Sequence, residues 1–157
     1  MRIDICHHYD NNPAQVHAML ADPAFWQYTL EGQTQSIEVT PTDGGVALSL
    51  GVKAPSQIRA ITGETLKFSL QATWQLGADG AWKGPIMIDA GKLPGSFTGD
   101  TTIAPDGAGT SVAYGGDFTI RVPLVGKTLE QKAVPYMTSV LSSQQAKGIA
   151  WLADHTY

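Results

Sequence analysis

The sequence predicts an α+β domain in which a seven-stranded, curved antiparallel sheet wraps around one long C-terminal helix, with two short helices between the first and second strands. Three observations predict this class. The segment from Leu66 to Leu76 alternates apolar and polar residues, which is typical of a strand that is buried on one face. Alternation of this kind recurs in six segments after the two short helical ones. Residues 124–153 then change to helical periodicity, and they form the only predicted element long enough to cover the sheet.

Length and composition favour a single soluble domain that spans residues 1–157. The chain is 43% hydrophobic and 15% charged, so it can bury a core without disulfides, and Cys6 alone could form none. The net charge is −4 and the ten basic residues are scattered along the chain, which excludes nucleic acid as a partner. No run reaches the length of about 18 apolar residues that a membrane span needs, and no signal peptide is recognisable. We therefore expect no integral membrane segment and a cytoplasmic protein.

The first elements are a strand and two capped helices. The segment "RIDICHHY" alternates like a strand and places His7 on the same face as the apolar side chains. In "DNNPAQVHAMLADP" one of the residues 10–12 caps a helix that has Pro13 in its first turn. Asp22 and Pro23 repeat this arrangement, and Gly32 ends the second helix.

The middle of the chain contains the other six strands. A "DGG" turn joins two alternating runs between residues 35 and 53, and residues 55–64 interrupt the pattern as a short helical turn. The strand from Leu66 to Leu76 follows, with its apolar residues, Leu76 included, on one face. The segment "WKGPIMIDA" is the next strand, and a "PDGAG" turn joins the last two.

The last helix follows a sharp corner in the sequence "VPLVG". Pro123 ends the final strand because it cannot donate a ladder hydrogen bond. We expect Leu124 and Val125 to anchor the helix against the mouth of the sheet, and Gly126 to allow close backbone approach. Pro135 lies inside the helix and predicts a kink.

The order of these elements resembles the helix-grip fold of the START, Bet v 1 and polyketide-cyclase-like (SRPBCC) proteins. The segment "VHAMLADPAFWQYTL" is similar to the Asp-Pro helix pair of that superfamily. The segments "PGSFTGDTTIAPDGAGT" and "VPLVGKTLE" resemble a more specific group within it, an uncharacterised, mainly actinobacterial family called domain of unknown function 2505. The chain departs from that family at Lys127, where a second glycine is common, and at Pro135. The resemblance implies a ligand cavity beneath the long helix and no catalytic residues.

Aromatic side chains on predicted inner faces are the main indication of a site. Together with two residues of the long helix and His7, they could line an apolar pocket, or they could simply fill the core. The candidate ligand-binding residues are His7, Phe25, Trp26, Phe68, Trp74, Trp82, Phe97, Tyr114, Phe118, Met137 and Leu141.

Metal, cofactor and catalytic sites are not predicted. His7 and His8 are adjacent on a strand and point to opposite faces, and no spacing resembles a zinc site, so we expect neither a metal nor a cofactor. Turns and caps account for most of the aspartates, and no carboxylate pair falls on an inner face.

The sequence therefore favours a binding protein, without catalytic activity, for a small hydrophobic or amphipathic molecule such as a lipid, polyketide or isoprenoid. Two alternatives stay open. One is a polyketide cyclase or aromatase that uses His7 or Tyr114 to shuttle a proton. The other is a protein with a filled core that acts through its surface, as a monomer or homodimer.

Overall fold

Strand β1 (Arg2–Tyr9) begins the fold, and the helices α1 (Pro13–Leu20) and α2 (Pro23–Leu30) follow it. This computed structural model describes residues 1–157, with the side chain of Tyr136 outside the description. The remaining elements are β2 (Ser36–Thr42), β3 (Gly45–Lys53), a 3₁₀ turn (Ser56–Ile58), α3 (Arg59–Thr62), β4 (Thr65–Thr73), β5 (Gln75–Leu76), β6 (Trp82–Asp89), β7 (Gly95–Asp106), β8 (Gly109–Ile120) and α4 (Gly126–Asp154).

The strands form one antiparallel sheet in the order β1-β8-β7-β6-β4-β3-β2, and β5 pairs with β6. Strand β1 lies beside β8, with Arg2 opposite Asp117 and Tyr9 opposite Thr110. The two short helices connect the β1 edge with the β2 edge, and α4 packs against α2, β1 and β8. The predicted fold class is confirmed: seven longer strands curve around the C-terminal helix, and β5 is an addition of two residues.

Strand β5 exists because the ladder between β4 and β6 is interrupted at Trp74. The pairing of Ala72 with Ile86 and that of Gln75 with Lys83 belong to one continuous register. Pro85 lies within the gap and has no N–H to donate, and a side chain at Gly84 would collide with the carbonyl of Thr73. The predicted strand therefore has the expected extent, but its last residue, Leu76, is 58% exposed instead of facing the core.

The helix caps follow the sequence prediction. The side chain of Asn12 accepts a hydrogen bond of 2.9 Å from the backbone N–H of Gln15, whose side chain in turn accepts from the N–H of Asn12. Asp22 accepts from the N–H of Ala24 at 2.9 Å at the start of α2. Each cap contributes about 1 kcal/mol to helix stability. These caps place Phe25, Trp26 and Thr29 of α2 toward the interior, where they are buried.

The corner between β8 and α4 differs from the prediction. Leu124 has a positive φ of 69° and a fully exposed side chain, and Val125 is 46% exposed, so neither residue anchors the helix. Instead the buried Gly126 lies so close to Ile120 that a Cβ would collide with its carbonyl oxygen. The carboxylate of Glu130 also accepts a hydrogen bond of 2.9 Å from the N–H of Ile120. The helix continues from this corner through Pro135 to Asp154.

Two apolar clusters hold the sheet and helices together. The larger one joins α1, α2 and the C-terminal part of α4 to the inner face of the sheet, around the fully buried Val16, Met19 and Phe25. The smaller one closes the end of the sheet at the β8–α4 corner, and its buried members are Ala54, Ile58, Leu66, Ala90, Leu93 and Ile120. Between the two clusters the inner face is less completely filled.

Candidate functional site

A cavity of about 240 Å³ lies between the inner face of the sheet, helix α2 and the middle of α4. Its wall is almost entirely apolar, and the exposed side chain of Gln33 in the loop between α2 and β2 marks where it reaches the surface. The lining residues are Ile3, Ile5, Trp26, Thr29, Leu30, Gln33, Thr34, Leu48, Leu50, Val52, Phe68, Leu70, Ile86, Ile88, Phe97, Tyr114, Met137, Val140, Leu141 and Gln144.

The sheet side of the wall follows from the alternation of the strands. Successive side chains of a strand point to opposite faces, so alternate residues along part of β3, β4 and β6 reach the cavity. Strand pairing then aligns these residues into a row across the sheet: Leu48 pairs with Leu70, Leu70 with Ile88, and Ile88 with Phe97. Helix α4 faces this row with Met137, Val140, Leu141 and Gln144, at helical spacings of three, four and seven.

Several of these inward-facing apolar side chains are only half-buried. Leu50, Phe68 and Leu70 are of intermediate exposure, although the strands that carry them lie inside the sheet. A filled core would bury such side chains fully, as it does Val46 and Ile103. The half-buried residues therefore border space that solvent reaches.

Few polar groups interrupt the wall, and one of them is unpartnered. Thr29 Oγ1 donates to the carbonyl oxygen of Trp26 at 3.2 Å, so this hydroxyl is satisfied. The side chain of Gln144 is 8% exposed, and its Nε2 has no hydrogen-bond partner among the described residues. Burial raises the pKa of the Tyr114 hydroxyl far above its ordinary value of 10.0, so this group stays protonated and uncharged. The described wall can offer a ligand neutral hydrogen-bonding groups within an apolar surface.

Six of the eleven predicted site residues lie together in the wall of this cavity: Trp26, Phe68, Phe97, Tyr114, Met137 and Leu141. Trp26 comes from α2, the next three residues from strands β4, β7 and β8, and the last two from α4. The other five residues, His7, Phe25, Trp74, Trp82 and Phe118, lie outside the wall.

His7 lies beside the wall, on the same face of β1 as the lining residues Ile3 and Ile5. Its ring is 4% exposed and meets the ring of Tyr114 edge to face, with centroids 5.6 Å apart. A similar contact joins it to Tyr9 at 6.4 Å. Burial lowers the pKa of His7, and its Nδ1 has no partner among the described residues. His7 is therefore a neutral, buried side chain that packs against Tyr114 outside the cavity wall.

The remaining four residues belong to the packing around the cavity. Phe25 is fully buried against Trp26 of α2, and Phe118 packs in both apolar clusters. Trp74 donates from Nε1 to Thr101 Oγ1 at 3.3 Å, at the end of the sheet where α1 packs. Trp82 stacks on the ring of His17 from α1, with centroids 3.8 Å apart. These aromatic side chains fix helices α1 and α2 to the sheet.

The aliphatic wall and Gln144 were not among the predicted site residues. The alternation of β3, β4 and β6 already placed their Leu, Ile and Val residues on the inner face, but a run of aliphatic residues is equally typical of a filled core. Gln144 had a clearer signal. It follows Val140 by four positions and precedes Gly148 by four, so it is a polar residue inside the apolar stripe of α4.

Two further features bear on function. Among the described residues, no group of three or more His, Cys, Asp or Glu side chains could hold a metal ion. In the same part of the chain, no helix is both long enough and apolar enough to cross a membrane.

Comparison with known proteins identifies a family and a fold. The family described as "Protein of unknown function (DUF2505)" matches residues 4–152. No curated protein matches the chain.

Solved structures match it over nearly its whole length. One is a protein of Thermus thermophilus, with 16% identity over 96% of this chain and 98% of that one and a TM-score of 0.66. Another is the ZhuI aromatase/cyclase of Streptomyces sp. R1128, with 13% identity, coverages of 94% and 93%, and a TM-score of 0.62. A third is a STAR-related lipid transfer protein of Xanthomonas axonopodis, with 20% identity, coverages of 94% and 84%, and a TM-score of 0.59. At these identities the likeness concerns the fold alone.

Proposed function

Since the chain belongs to the DUF2505 family of proteins of unknown function, we propose its function from the cavity: it binds a small hydrophobic or amphipathic molecule between the sheet and α4. The observation that carries this proposal is the row of half-buried apolar side chains on the inner face, among them Leu50, Phe68 and Leu70. Apolar surface that faces solvent inside a fold is costly, and an apolar ligand would remove it from water. In this proposal the protein works in the cytoplasm, as a monomer or homodimer.

The size of the cavity limits the ligand. An engineered apolar cavity of about 150 Å³ holds one benzene ring, and pockets for drug-sized ligands begin at about 300 Å³. A volume of about 240 Å³ lies between these values and suits a fused two-ring molecule or a short isoprenoid chain. A lipid with two long acyl chains would need the walls to move apart. Of the expected ligand classes, polyketide-like rings and short isoprenoids therefore fit best.

Gln144 adds a polar requirement. A buried donor without a partner costs about 1–3 kcal/mol, and a ligand that accepts a hydrogen bond from Nε2 would recover much of this cost. We infer that the ligand is amphipathic, with a carbonyl, ether or hydroxyl oxygen directed toward α4. The names of two structural neighbours, an aromatase/cyclase and a lipid transfer protein, agree with ligands of this kind.

A cyclase or aromatase is the second candidate, and one observation favours it. The ring of Tyr114 lies in the cavity wall, and it is in edge-to-face contact with the uncharged imidazole of His7. If these two side chains pass a proton during turnover, the turnover rate must depend on both of them. Turnover of a cyclisation substrate that survives unchanged in Tyr114→Phe and His7→Phe would remove this candidate. The third candidate is a protein with a filled core that acts through its surface. The cavity of about 240 Å³ argues against a filled core.

Two experiments test the binding proposal. Native mass spectrometry of the purified protein reports any co-purifying molecule, and calorimetric titration with 1-tetralone, a two-ring ketone, measures binding directly. Leu70→Trp fills the cavity from β4 and should weaken tetralone binding at least about tenfold. Gln71→Trp places the same side chain on the exposed face one residue later and should leave binding unchanged. Equal binding by the two variants, with both folded by circular dichroism, would contradict the proposal.

A further inference from the structure

We propose that the end of the domain at the β8–α4 corner docks on an anionic lipid surface, with Leu124 and Val125 entering the interface between water and lipid. This end, called the basic end, comprises the loops and element ends that strand pairing gathers there, residues 1–2, 31–36, 53–67, 89–96 and 117–132. The docking does not depend on the identity of the ligand in the cavity.

Leu124 is the first observation. Its backbone lies in the left-handed region with φ 69°, where leucine is disfavoured and glycine or asparagine is usual. Its side chain is fully exposed, with a relative exposure of 104%. The corner therefore holds a large apolar side chain in an unfavourable backbone conformation, away from every other part of the chain. No contact within the folded domain compensates for the exposed apolar side chain or for the backbone conformation. This points to a contact outside the domain.

Two further apolar side chains accompany Leu124. Val125 follows it with 46% exposure, and Ile61 of α3, at the same end of the sheet, is 40% exposed. The smaller apolar cluster supports both segments, because Ile58 beside α3 and Leu129 of α4 pack within it. Leu124, Val125 and Ile61, called the apolar tip, therefore belong to segments that pack on this cluster and not to free loops.

The distribution of charge is the second observation. The basic end carries eight of the ten basic residues and five of the fourteen acidic ones, a net charge of +3, while the rest of the chain carries −7. The ion pairs among the described side chains involve Arg2, His8 and Lys83, so seven of these eight basic residues take part in none of them. The seven residues are Lys53, Arg59, Lys67, Lys92, Arg121, Lys127 and Lys132.

This combination matches a lipid surface better than a protein partner. Aliphatic side chains flanked by Lys and Arg bind where acyl chains meet anionic headgroups, and each basic residue near the surface adds to the attraction. Protein hot spots are instead rich in Trp and Tyr, which the tip at Leu124, Val125 and Ile61 lacks. The negative remainder of the molecule is repelled by anionic headgroups, so the charge asymmetry also orients the domain with its basic end toward the lipid.

The mouth of the cavity lies at the same end. The loop that contains Gln33 and Thr34 is attached to the end of β3, because the N–H of Gln35 donates to the carbonyl of Gly51 at 2.7 Å. The hydroxyl of Thr65 at the start of β4 donates to the side chain of Gln35 at 2.9 Å. A domain docked by its basic end would hold this mouth beside the lipid, where an apolar molecule could pass between membrane and cavity without crossing bulk water.

Vesicle flotation tests the docking. Wild-type protein should float with phosphatidylcholine vesicles that contain about 30% phosphatidylserine, and should bind pure phosphatidylcholine at least about tenfold more weakly. Leu124→Gly relaxes the left-handed backbone, so this variant stays folded, and it should lower binding at least about fivefold. Leu76→Gly removes another exposed leucine side chain, with 58% exposure, at the end of β5 and away from the basic end, and should have no effect.

Charge reversal provides the second arm. The double variant Lys92→Glu with Lys127→Glu should lose about tenfold or more in binding to the anionic vesicles, whereas Lys83→Glu outside the basic end should not. Three results would each overturn the proposal: no flotation of the wild type, equal binding to neutral and anionic vesicles, or a Leu124→Gly protein that binds as tightly as the wild type. Binding of the basic end to an acidic polypeptide such as polyglutamate, without binding to vesicles, would assign the surface to a protein partner instead.

Discussion

The indole N–H of Trp26 donates a hydrogen bond of 2.7 Å to the carbonyl oxygen of Leu20, the last residue of α1. The indole of Trp26 forms part of the cavity wall, and this bond attaches it to the end of α1. Both groups are buried, so the bond is shielded from water. The bond thus links the angle between the two short helices to the shape of the cavity.

Trp26→Phe should lower the free energy of unfolding by about 2 kcal/mol, because it leaves the buried carbonyl of Leu20 without this donor. Urea unfolding measures the change. Trp151→Phe is the control, since its indole donates to Tyr157 at the exposed surface, and its loss should be less than half as large. Equal losses of stability in the two variants would contradict the larger contribution expected of the buried Trp26 hydrogen bond.

Gln144→Leu should remove the preference of the cavity for ligands that accept a hydrogen bond. Wild-type protein should bind 1-tetralone about five- to tenfold more tightly than tetralin, which has the same two rings and no oxygen. In the variant the two affinities should converge, mainly through tighter binding of tetralin. Calorimetric titration measures both. A preference for tetralone that persists in Gln144→Leu would show that another donor recognises the oxygen.

The buried His7 should make the protein sensitive to acid. Burial lowers the pKa of His7 below the value of 6.5 that it has in an unfolded chain, so the unfolded state binds the proton first. Stability is therefore complete above pH 6.5 and declines as the pH falls from 6.5 toward the lowered pKa of the folded state. His7→Phe should flatten this decline, and an unchanged decline in this variant would contradict the role of His7. Urea midpoints measured between pH 7 and pH 5 decide between these outcomes.

Gly126→Ala should destabilise the corner between β8 and α4. A Cβ at Gly126 would collide with the carbonyl oxygen of Ile120, which is a backbone group and cannot move aside as a flexible side chain could. We expect a loss of about 1–3 kcal/mol, measured by thermal unfolding. Ser142→Ala, at an exposed position of the same helix, should change the free energy of unfolding by less than about 0.5 kcal/mol. A neutral Gly126→Ala variant would mean that this corner is more adaptable than the close approach implies.

The architecture could be predicted from the sequence because its signals are local. Strict alternation in β4 and the caps at Asn12 and Asp22 each specify one element, and only a long helix could cover a sheet with one apolar face. The conformation of the β8–α4 corner could not be predicted in this way. Pattern alone places Leu124 and Val125 inward as apolar residues, whereas the turn forces them outward.

The site was harder to predict because lining a cavity and filling a core require the same residue types. Trp26 and Tyr114 border the cavity, while Phe25 and Trp74 are equally aromatic and pack elsewhere. The choice between these positions depends on where α1 and α2 lie on the sheet, which is a long-range property. A polar residue within an apolar stripe, as at Gln144, is the signal that sequence does carry.

The position of β1 beside β8 also determines when the domain can become complete during synthesis. Arg2 pairs opposite Asp117, so β1 can pair with β8 only after most of the chain has been synthesised. Contacts over such separations slow folding, because the chain must close a long loop before the pairing stabilises it. Until then β1 is an unpaired strand on the nascent chain, and its hydrogen-bonding edge is available to chaperones or to other chains.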